Sequence, residues 1–394
     1  MKKIYMDHNA TAPVHPAVLD AILPYYKDSY GNASSVHTFG REARIAMEKA
    51  REKIAEFIGA QPREIIFTSG GTEADNFAIV GTANQNAEKG KHIITTAIEH
   101  PAVMNTCKHL ETRGFEVTYL GVDRYGIVDM DALREAIRDD TILITIMYAN
   151  NEIGTVEPMK EIGEIASEKG IILHSDAVQA VGKIPVNVDE AGVDLMSMSA
   201  HKLYGPKGVG VLYMRRGTKV EKLMRGGHQE RNLRPGTENV PGILGLGKAV
   251  EIAASDMKEE GKRLFRITEK LREGLQDQLE RVFANSHPTE RLPNTMNLSF
   301  DYLEGESILL NLDIKGVAVS TGSACTSGSL EPSHVMLALG LPVATAQGAI
   351  RFSLGRFNTE ADVDYVLEEL PPIIKRLRSM SPLYADAAKD KKTS

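Results

Sequence analysis

The stretch "EIIFTSGGTEADNFAIV", residues 64–80, joins a short apolar run to a helical segment through two glycines. The apolar residues of "EIIFTS" are consecutive rather than alternating, which is typical of a strand buried on both faces. Thr72 follows the glycines and stands at the start of the predicted helix. A strand, a tight turn and a helix in this order form the first half of a βαβ unit.

The same alternation continues along the chain. Four more apolar runs predict buried strands: "HIITTAI" (92–98), "TILITIMYA" (141–149), "GIILHSD" (170–176) and "DLMSMSA" (194–200). Helical patterns separate them, and the pattern "PMKEIGEIASEKG" ends at Gly170 as a C-cap. The run "GVGVLYMRRG" (208–217) predicts one more strand, at an edge or antiparallel. We therefore expect an α/β fold with a mainly parallel central sheet and helices on both faces.

The pattern changes near residue 250. A long charged amphipathic stretch follows, as expected of a helix that links two domains or covers a surface. After it, "TMNLSF", "VAVST" and "GAIRFSLG" predict the strands of a smaller α+β domain. The predicted organisation is an N-terminal segment that packs with the small domain (1–15), a large domain (16–255), a small C-terminal domain (256–385) and a disordered tail (386–394).

Composition narrows the class of protein. The chain has 394 residues and a formal net charge of −7, which argues against a nucleic-acid or anionic-membrane surface. Only two cysteines are present, too few for a disulfide framework and consistent with a reducing compartment. Neither a signal peptide nor a run of about 18 apolar residues is found. We expect a cytoplasmic protein without direct membrane or nucleic-acid binding.

Polar residues follow the predicted strands at the point where each strand ends. They are Thr72, His100, Asn150, Asp176 with Gln179, and His201 with Lys202. Ligands of open α/β sheets bind outside the carboxyl ends of the strands. If the sheet is real, these side chains converge on one site.

Each of these residues also has a plain structural interpretation. Thr72 after two glycines could cradle a phosphate at a helix start, or be an ordinary N-cap. Asp176 could be a turn residue or the partner of a buried cation. Lys202 could be a surface lysine or, if desolvated, a Schiff-base lysine. His100 could cap a helix or lie in the core, or it could stack on a ring and move protons.

Taken together, a phosphate cradle, a strand-end aspartate and a strand-end lysine match the needs of pyridoxal 5'-phosphate (PLP). The phosphate would take the helix start, the aldehyde the lysine, and the pyridinium nitrogen the carboxylate. The chain has no GK[ST] sequence after the glycines, so a P-loop is excluded.

Five motifs resemble those of one enzyme family: "SAHKLYGPKG", "HSDAVQAVG", "NNEIGT", "RPGTEN" and "STGSACTSGSLEPSHV". The chain resembles a cysteine desulfurase of the NifS/IscS type, among the class V aminotransferase-like PLP enzymes of fold type I, from "YMDHNATAP" to "SPLY". The resemblance implies a homodimer. It also implies conversion of L-cysteine to L-alanine, with the sulfur left on the enzyme as a persulfide.

The resemblance also assigns roles to residues of this sequence. Lys202 would form the Schiff base with PLP, and Asp176 would pair with the pyridine nitrogen. At the cofactor ring, Gln179 would bond the phenolic oxygen, His100 would lie on the ring face, and Asn150 would lie beside cofactor and substrate. The phosphate would be bound by Gly71, Thr72, Ser199 and His201, and Thr237 would reach the phosphate of the other subunit. Arg351 would bind the substrate carboxylate. Without the family, Arg351 could equally be a strand arginine that faces the surface.

The two cysteines differ in context. Cys107 shares helical spacing with Val103 and Leu110, which predicts a small core residue. Cys325 lies in "STGSACTSGS" (320–329), a composition that predicts a mobile loop. By resemblance, the Cys325 thiolate attacks the substrate sulfur and carries the persulfide to an iron–sulfur scaffold protein of the NifU/IscU type. Its only metal contact would be transient, through that persulfide, and the loop leans toward the NifS side of the family.

Three alternatives stay open from the sequence. One is another enzyme of the same fold, a selenocysteine lyase or an aminotransferase, for which Cys325 would be dispensable. A second is a non-catalytic PLP-binding sulfur carrier or regulatory module, which would tolerate loss of Lys202 or Arg351. A third is a metal site of Cys325 with His334, which the lack of a CxxC or Cys/His ladder disfavours.

Overall fold

The computed structural model of the protein describes residues 2–321, 332–381 and 384. Its strands are β1 Ile4–Tyr5, β2 Ile65–Thr68, β3 His92–Thr96, β4 Glu116–Leu120, β5 Thr141–Thr145, β6 Ile172–Asp176, β7 Leu195–Ser199, β8 Gly210–Met214, β9 Val282–Ala284, β10 Thr295–Phe300, β11 Val317–Ala318 and β12 Ala349–Ser353. Its helices are α1 Pro16–Ile22, α2 Pro24–Lys27, α3 Thr38–Ile58, α4 Gly71–Asn86, α5 Pro101–Glu111, α6 Met130–Ala136, α7 Met159–Lys169, α8 Gln229–Asn232, α9 Val240–Gln278, α10 Gly305–Ile314, α11 His334–Ala338, α12 Val343–Gln347 and α13 Glu360–Met380.

A seven-stranded sheet forms the centre of the structure, with the strand order β2-β8-β7-β6-β5-β3-β4. Strands β7, β6, β5, β3 and β4 run parallel, and β8 is antiparallel to both of its neighbours. The predicted α/β fold with a mainly parallel sheet is confirmed. The five runs predicted as buried strands form β2, β3, β5, β6 and β7.

Two details of the sheet differ from the prediction. Strand β8 is antiparallel as expected, but it is not at an edge, because β2 pairs with its outer side from Ile65↔Tyr213 to Thr68↔Gly210. Strand β4, "EVTYL", was not predicted. It lies at the edge of the sheet and is partly exposed, so its sequence mixes charged and apolar residues instead of forming an apolar run.

Helix ends follow the local sequence. Helix α7 ends at Lys169, and the next residue, Gly170, has φ 64° and forms the predicted left-handed C-cap. Helix α5 begins at Pro101, and the ring of the preceding His100 accepts a hydrogen bond from the backbone N–H of Ala102. The sequence thus places His100 at a fixed position directly after strand β3 and its turn.

Helix α9 contributes to two hydrophobic clusters. Its first half buries residues such as Ile243 and Leu246 in the cluster around the seven-stranded sheet. Its second half buries Leu264 and Leu271 in a cluster with the three-stranded sheet β12-β10-β9 and α13. The predicted long amphipathic helix is therefore a single helix of 39 residues. The boundaries between domains stay a prediction.

The N-terminal segment connects the two sheets at the carboxyl ends of the central strands. Strand β1 pairs in parallel with β11, and the N–H of His8 donates to the carbonyl oxygen of Ser353. Further along, the N–H of Ala12 donates to the carbonyl oxygen of His201. Residues 7–12 therefore cross the region where the predicted site residues gather. In the described parts of the chain, no helix is both long and apolar enough to cross a membrane.

Candidate active site

The strand-end side chains do converge. Asp176 ends β6, His100 precedes α5, and Asp75 projects from α4, the helix that follows β2. One ligand atom of each residue lies within 4.8 Å of the other two. Asp176 accepts a hydrogen bond of 2.9 Å from the backbone N–H of Val178, and both carboxylates are buried.

Lys202 lies in a single 3₁₀ turn, Ala200–Lys202, directly after β7. Its Nζ donates to the carbonyl oxygens of Asn9 (2.5 Å) and Ala10 (2.9 Å). Burial raises the pKa of Asp176, and the positive charge of Lys202 is among the groups that oppose this rise. The interpretation of Lys202 as a surface lysine in a glycine/proline loop is wrong, because its amine is held inside the site.

Burial sets the charge of the acidic groups. It raises the pKa of Asp176 and raises that of Asp75 well above its usual range, with a further rise at Asp75 from the nearby Asp176. Burial also raises the pKa of Glu99 to about 8. The same desolvation lowers the pKa of His100, whose ring is therefore neutral at pH 7. Burial and mutual repulsion thus disfavour the ionised forms of these three carboxyl groups. A cation bound beside them would favour ionisation and would itself be stabilised.

Of the predicted phosphate residues, Gly71 and Thr72 begin α4, and Ser199 lies beside Gly71. A Cβ added to Gly71 would lie 2.6 Å from Cγ2 of Val178 and 3.7 Å from Cβ of Ser199, so only glycine allows this close approach. Thr72 is exposed at the second position of the helix, where backbone N–H groups have no intrahelical partner. The Nδ1 of His201 lies 3.1 Å from Oγ1 of Thr11, and burial lowers the pKa of His201 to about 4.

Gln179 and Asn150 are both buried but differ in what they can offer a ligand. The Nε2 of Gln179 donates to the carbonyl oxygen of Asn9 at 3.0 Å, and its Oε1 accepts from Lys183. Asn150 uses its amide to shape a turn: Oδ1 accepts from the N–H groups of Glu152 and Ile153, and Nδ2 donates to the carbonyl oxygen of Ile98. Its predicted contact with cofactor and substrate stays a prediction.

Arg351 points inward from β12. Its Nη2 donates to Oδ1 of Asp7 at 2.7 Å, and its Nη1 donates to the carbonyl oxygen of Asn151 at 2.9 Å. Its Nε is buried and has no hydrogen-bond partner in the described part of the chain. Only 4% of the side chain is exposed, so the alternative of a surface-facing strand arginine is wrong.

Thr237 is not part of this cluster. Thr237 is exposed on the segment before α9, and among the described residues it forms no hydrogen bond to the other predicted site residues. The nearby Arg234 pairs with Glu73 of α4 at 2.8 Å, so this segment lies against the helix that begins at Gly71. Cys325 lies outside the described residues, so its roles as nucleophile and as transient metal contact stay predictions.

The other cysteine behaves as predicted. Cys107 is fully buried in a cluster with Val103 and Leu110, and burial raises the pKa of its thiol to about 12. It is therefore an inert core residue. His334, the metal partner of Cys325 in the third alternative, has Nε2 3.0 Å from the carbonyl oxygen of Glu99. Its pairing with Cys325 lies outside the described residues.

Five residues of the site were not predicted from the sequence: Asp7, Asn9, Asp75, Glu99 and Lys183. For Asp75 a signal exists, since a carboxylate on a helix whose neighbours Ala74, Phe77 and Ala78 are all apolar needs a buried partner. For Asp7 and Asn9, the polar N-terminal stretch "MDHNAT" is a weaker sign of a place in the site. Lys183 follows a glycine in "AVGKIP" and has the context of a surface lysine.

The residues present fit PLP. Asp176 is buried and accepts a hydrogen bond from the backbone N–H of Val178, so its carboxylate can still accept one from a pyridinium N–H. Lys202 could reach the aldehyde, and the start of α4 could take the phosphate. Carboxylate and imidazole groups also bind divalent metals. The buried lysine and the glycine-flanked helix start are features that PLP uses and a metal ion does not.

Comparison with known proteins agrees with this assignment. The profile of the family described as aminotransferase class V matches residues 4–366. A "Cysteine desulfurase IscS" of Methanosarcina thermophila is 55% identical over 97% of this chain and 94% of its own length. One of the same name from Dictyoglomus turgidum is 56% identical over 97% of each chain. A solved "NIFS-like protein" superposes with a TM-score of 0.90 at 41% identity, covering 95% of this chain and 100% of its own. The chain belongs to the class V aminotransferase family.

Proposed function

We propose that this protein is a PLP-dependent cysteine desulfurase, which converts L-cysteine to L-alanine and supplies the sulfur for iron–sulfur cluster assembly. The observation that carries the proposal is the buried group of Asp75, His100 and Asp176 beside the amine of Lys202 at the carboxyl ends of the strands. Full-length relatives above 50% identity that are named cysteine desulfurase support the same activity.

PLP, when bound, withdraws electrons from the amino acid and so makes the loss of its sulfur possible. Asp176 would hold the protonated ring nitrogen, and Lys202 would hold the aldehyde carbon. Gly71, Thr72, Ser199 and His201 would bind the phosphate at the start of α4. The neutral ring of His100 would lie on the face of the pyridine and move protons, and Asn150 would line the same cavity.

Arg351 would bind the substrate carboxylate. Its guanidinium already donates to Asp7 and to a backbone carbonyl. Its buried Nε has no hydrogen-bond acceptor within the described part of the structure. A buried donor without a partner costs about 1–3 kcal/mol, which a carboxylate would recover. Asp7 holds the guanidinium in one orientation, so the substrate carboxylate meets a fixed donor.

Cys325 would accept the sulfur. The thiolate of Cys325 attacks the sulfur of cysteine, the C–S bond of the substrate breaks, and the carbon takes a proton to become the methyl group of alanine. The protein keeps one extra sulfur atom as Cys325–S–SH, and a reductant later releases it as sulfide. A free thiol has a pKa of about 8.5, so a few per cent is thiolate at pH 7. Cys107 cannot substitute, because it is buried and protonated.

The working unit would be a homodimer. Exposed apolar side chains are concentrated between residues 19 and 45: Leu19, Leu23, Tyr26, Tyr30, Val36, Phe39 and Ile45. Val36 is 84% exposed and Tyr30 69%, which is unusual for apolar side chains so close together in sequence, and the rings of Tyr30 and Phe39 stack. A second copy of the chain would cover this group. Thr237 is exposed, as needed if it binds the phosphate in the other subunit.

The acceptor of the sulfur would be an iron–sulfur scaffold protein of the NifU/IscU type in the cytoplasm. The predicted mobility of the segment around Cys325 supports direct transfer to such a partner. The domain boundaries given above belong to the same proposal, with the segment 1–15 joining the small domain through β1 and β11.

The test uses purified protein with PLP, L-cysteine and a reductant, and measures alanine and sulfide together. The wild type and the Cys107→Ser variant should each release one sulfide for every alanine. Cys325→Ser should lose sulfide release and keep the yellow colour of bound PLP. A Cys325→Ser variant with full activity would support an aminotransferase-like enzyme without a sulfur-carrying thiol.

A further inference from the structure

A second lysine lies beside Lys202. The Nζ of Lys183 donates to Oε1 of Gln179 at 2.5 Å and to Oδ1 of Asn9 at 2.9 Å. The Nζ of Lys202 donates to the backbone carbonyl of the same Asn9. Both lysines therefore share one polar partner, and Gln179 lies within this group.

The amide of Gln179 can adopt only one orientation here. Its nitrogen faces the backbone carbonyl oxygen of Asn9 at 3.0 Å, and that oxygen can only accept. Its oxygen accepts a hydrogen bond from Nζ of Lys183. A flipped amide would place two acceptors against each other and two donors against each other.

Asn9 is fixed in the same way. Its Nδ2 donates to the carbonyl oxygen of Asn151 and to Oγ1 of Thr295, so its Oδ1 must face Lys183. Lys183 thus joins two oriented amides. The second hydrogen on Nε2 of Gln179 has no protein acceptor within the described residues. Gln179 can therefore act toward a ligand only as a donor.

The charged groups around Lys183 are mostly positive. Burial lowers the pKa of Lys183 well below its usual value, and Lys202 and Arg351 lower it further. His8 and His201 also face it, since the charge of Lys183 lowers the pKa of each ring. No carboxylate forms an ion pair with Lys183 in the described part of the chain. Among the described residues, the carboxylate on this side of the site is Asp7, which pairs with Arg351, so positive groups outnumber negative ones.

We propose that Lys183 is a positioning residue for PLP: it holds Gln179 as a donor to the phenolic oxygen, and that oxygen, when ionised, stabilises the ammonium form of Lys183 beside it. The proposal rests on the proposed function, which places that oxygen at Gln179. An ionised phenolic oxygen supplies a further negative charge. Both effects favour the form of the Lys202–PLP Schiff base that has lost its proton, and so lower its pKa.

The test is a pH titration of the Schiff-base absorbance in the PLP-loaded protein without substrate. Lys183→Met should raise the midpoint by about one pH unit or more, the effect of removing a unit charge at an effective dielectric constant of about 20. Lys183→Arg should titrate close to the wild type. Lys108→Met, which removes an exposed lysine of α5, serves as the matched control.

Lys183→Gln covers the case in which Lys183→Met does not fold, because it is neutral and can still bond both amides. It should show an upward shift as well. Equal midpoints for the wild type and both neutral variants would overturn the inference, as would a shift in Lys183→Arg as large as in Lys183→Met. A wild type without any Schiff base at Lys202 would instead contradict the proposed function.

Discussion

The buried ion pair between Arg51 and Glu230 should hold the segment that leads to Thr237. Both side chains are 3% exposed, and two parallel hydrogen bonds of 2.8 Å join them. Glu230 also accepts from the backbone N–H of Phe67, and Arg51 donates to the carbonyl oxygen of Ile65. The pair therefore connects helix α3, strand β2 and helix α8.

The backbone that this pair holds is strained. Glu230, Arg231 and Asn232 have φ values of 44°, 57° and 67°, three successive residues in the left-handed region without a glycine. Such a conformation costs about 1–2 kcal/mol per residue, or roughly 3–6 kcal/mol for the segment. Loss of one partner from a buried pair costs about 3–5 kcal/mol. The two quantities are similar, so without the pair the strained turn should relax.

The variants are Arg51→Met, Glu230→Met and the double variant. Each single variant should lower the free energy of unfolding by about 3–5 kcal/mol, because it leaves an unpaired buried charge. The double variant should cost less than the sum by about 2 kcal/mol or more. Urea unfolding measures these free energies, and hydrogen exchange should show lost protection at residues 228–238.

Single variants that cost less than about 1 kcal/mol, or costs that simply add in the double variant, would refute this account of the turn. Arg134→Met provides the control, because Arg134 forms an exposed pair with Asp131, and exposed pairs contribute about 0–1 kcal/mol. If Thr237 reaches the partner's phosphate, both single variants should also retain less PLP after dialysis.

Three further predictions address the site. Lys202→Ala should abolish the Schiff-base absorbance, and an unchanged spectrum would contradict the role of Lys202. Glu99→Gln should become more stable relative to the wild type as pH rises from about 5 to 8. The pKa of Glu99 is raised to about 8, so between these pH values the folded wild type binds more protons than its unfolded chain. The free energy of unfolding of the wild type therefore falls by about 1.4 kcal/mol per pH unit until that pKa is passed, and the variant lacks this loss. Urea unfolding at pH 5.5 and 8.5 measures it, and an equal difference at both would argue against the shift. Val36→Asp should give a monomer in sedimentation, and a stable dimer would place the interface elsewhere.

The sequence predicted those features that depend on local order along the chain. Apolar runs followed by polar residues located Asp176, His100 and Lys202 correctly, since parallel strands place their carboxyl ends at one edge of the sheet. The C-cap at Gly170 and the burial of Cys107 also followed from local patterns.

Features that depend on distant contacts could not be predicted. Asn9 meets Lys202 across 193 positions of sequence, and no local pattern signals such a contact. Lys183 sits in a stretch that is typical of a surface turn, and its burial depends on the N-terminal segment crossing the strand ends. The place of β8 inside the sheet depends on β2, which precedes it by about 140 residues and pairs with its outer side.

In the proposed reaction, the sulfur of cysteine passes to Cys325 while Lys202 holds PLP. The most direct measurement is mass spectrometry of peptides after a single turnover with L-cysteine and no reductant. The peptide of Cys325 should carry one extra sulfur atom and that of Cys107 none, and one alanine should form for each persulfide. Alanine formed without any sulfur on Cys325 would contradict the proposed reaction.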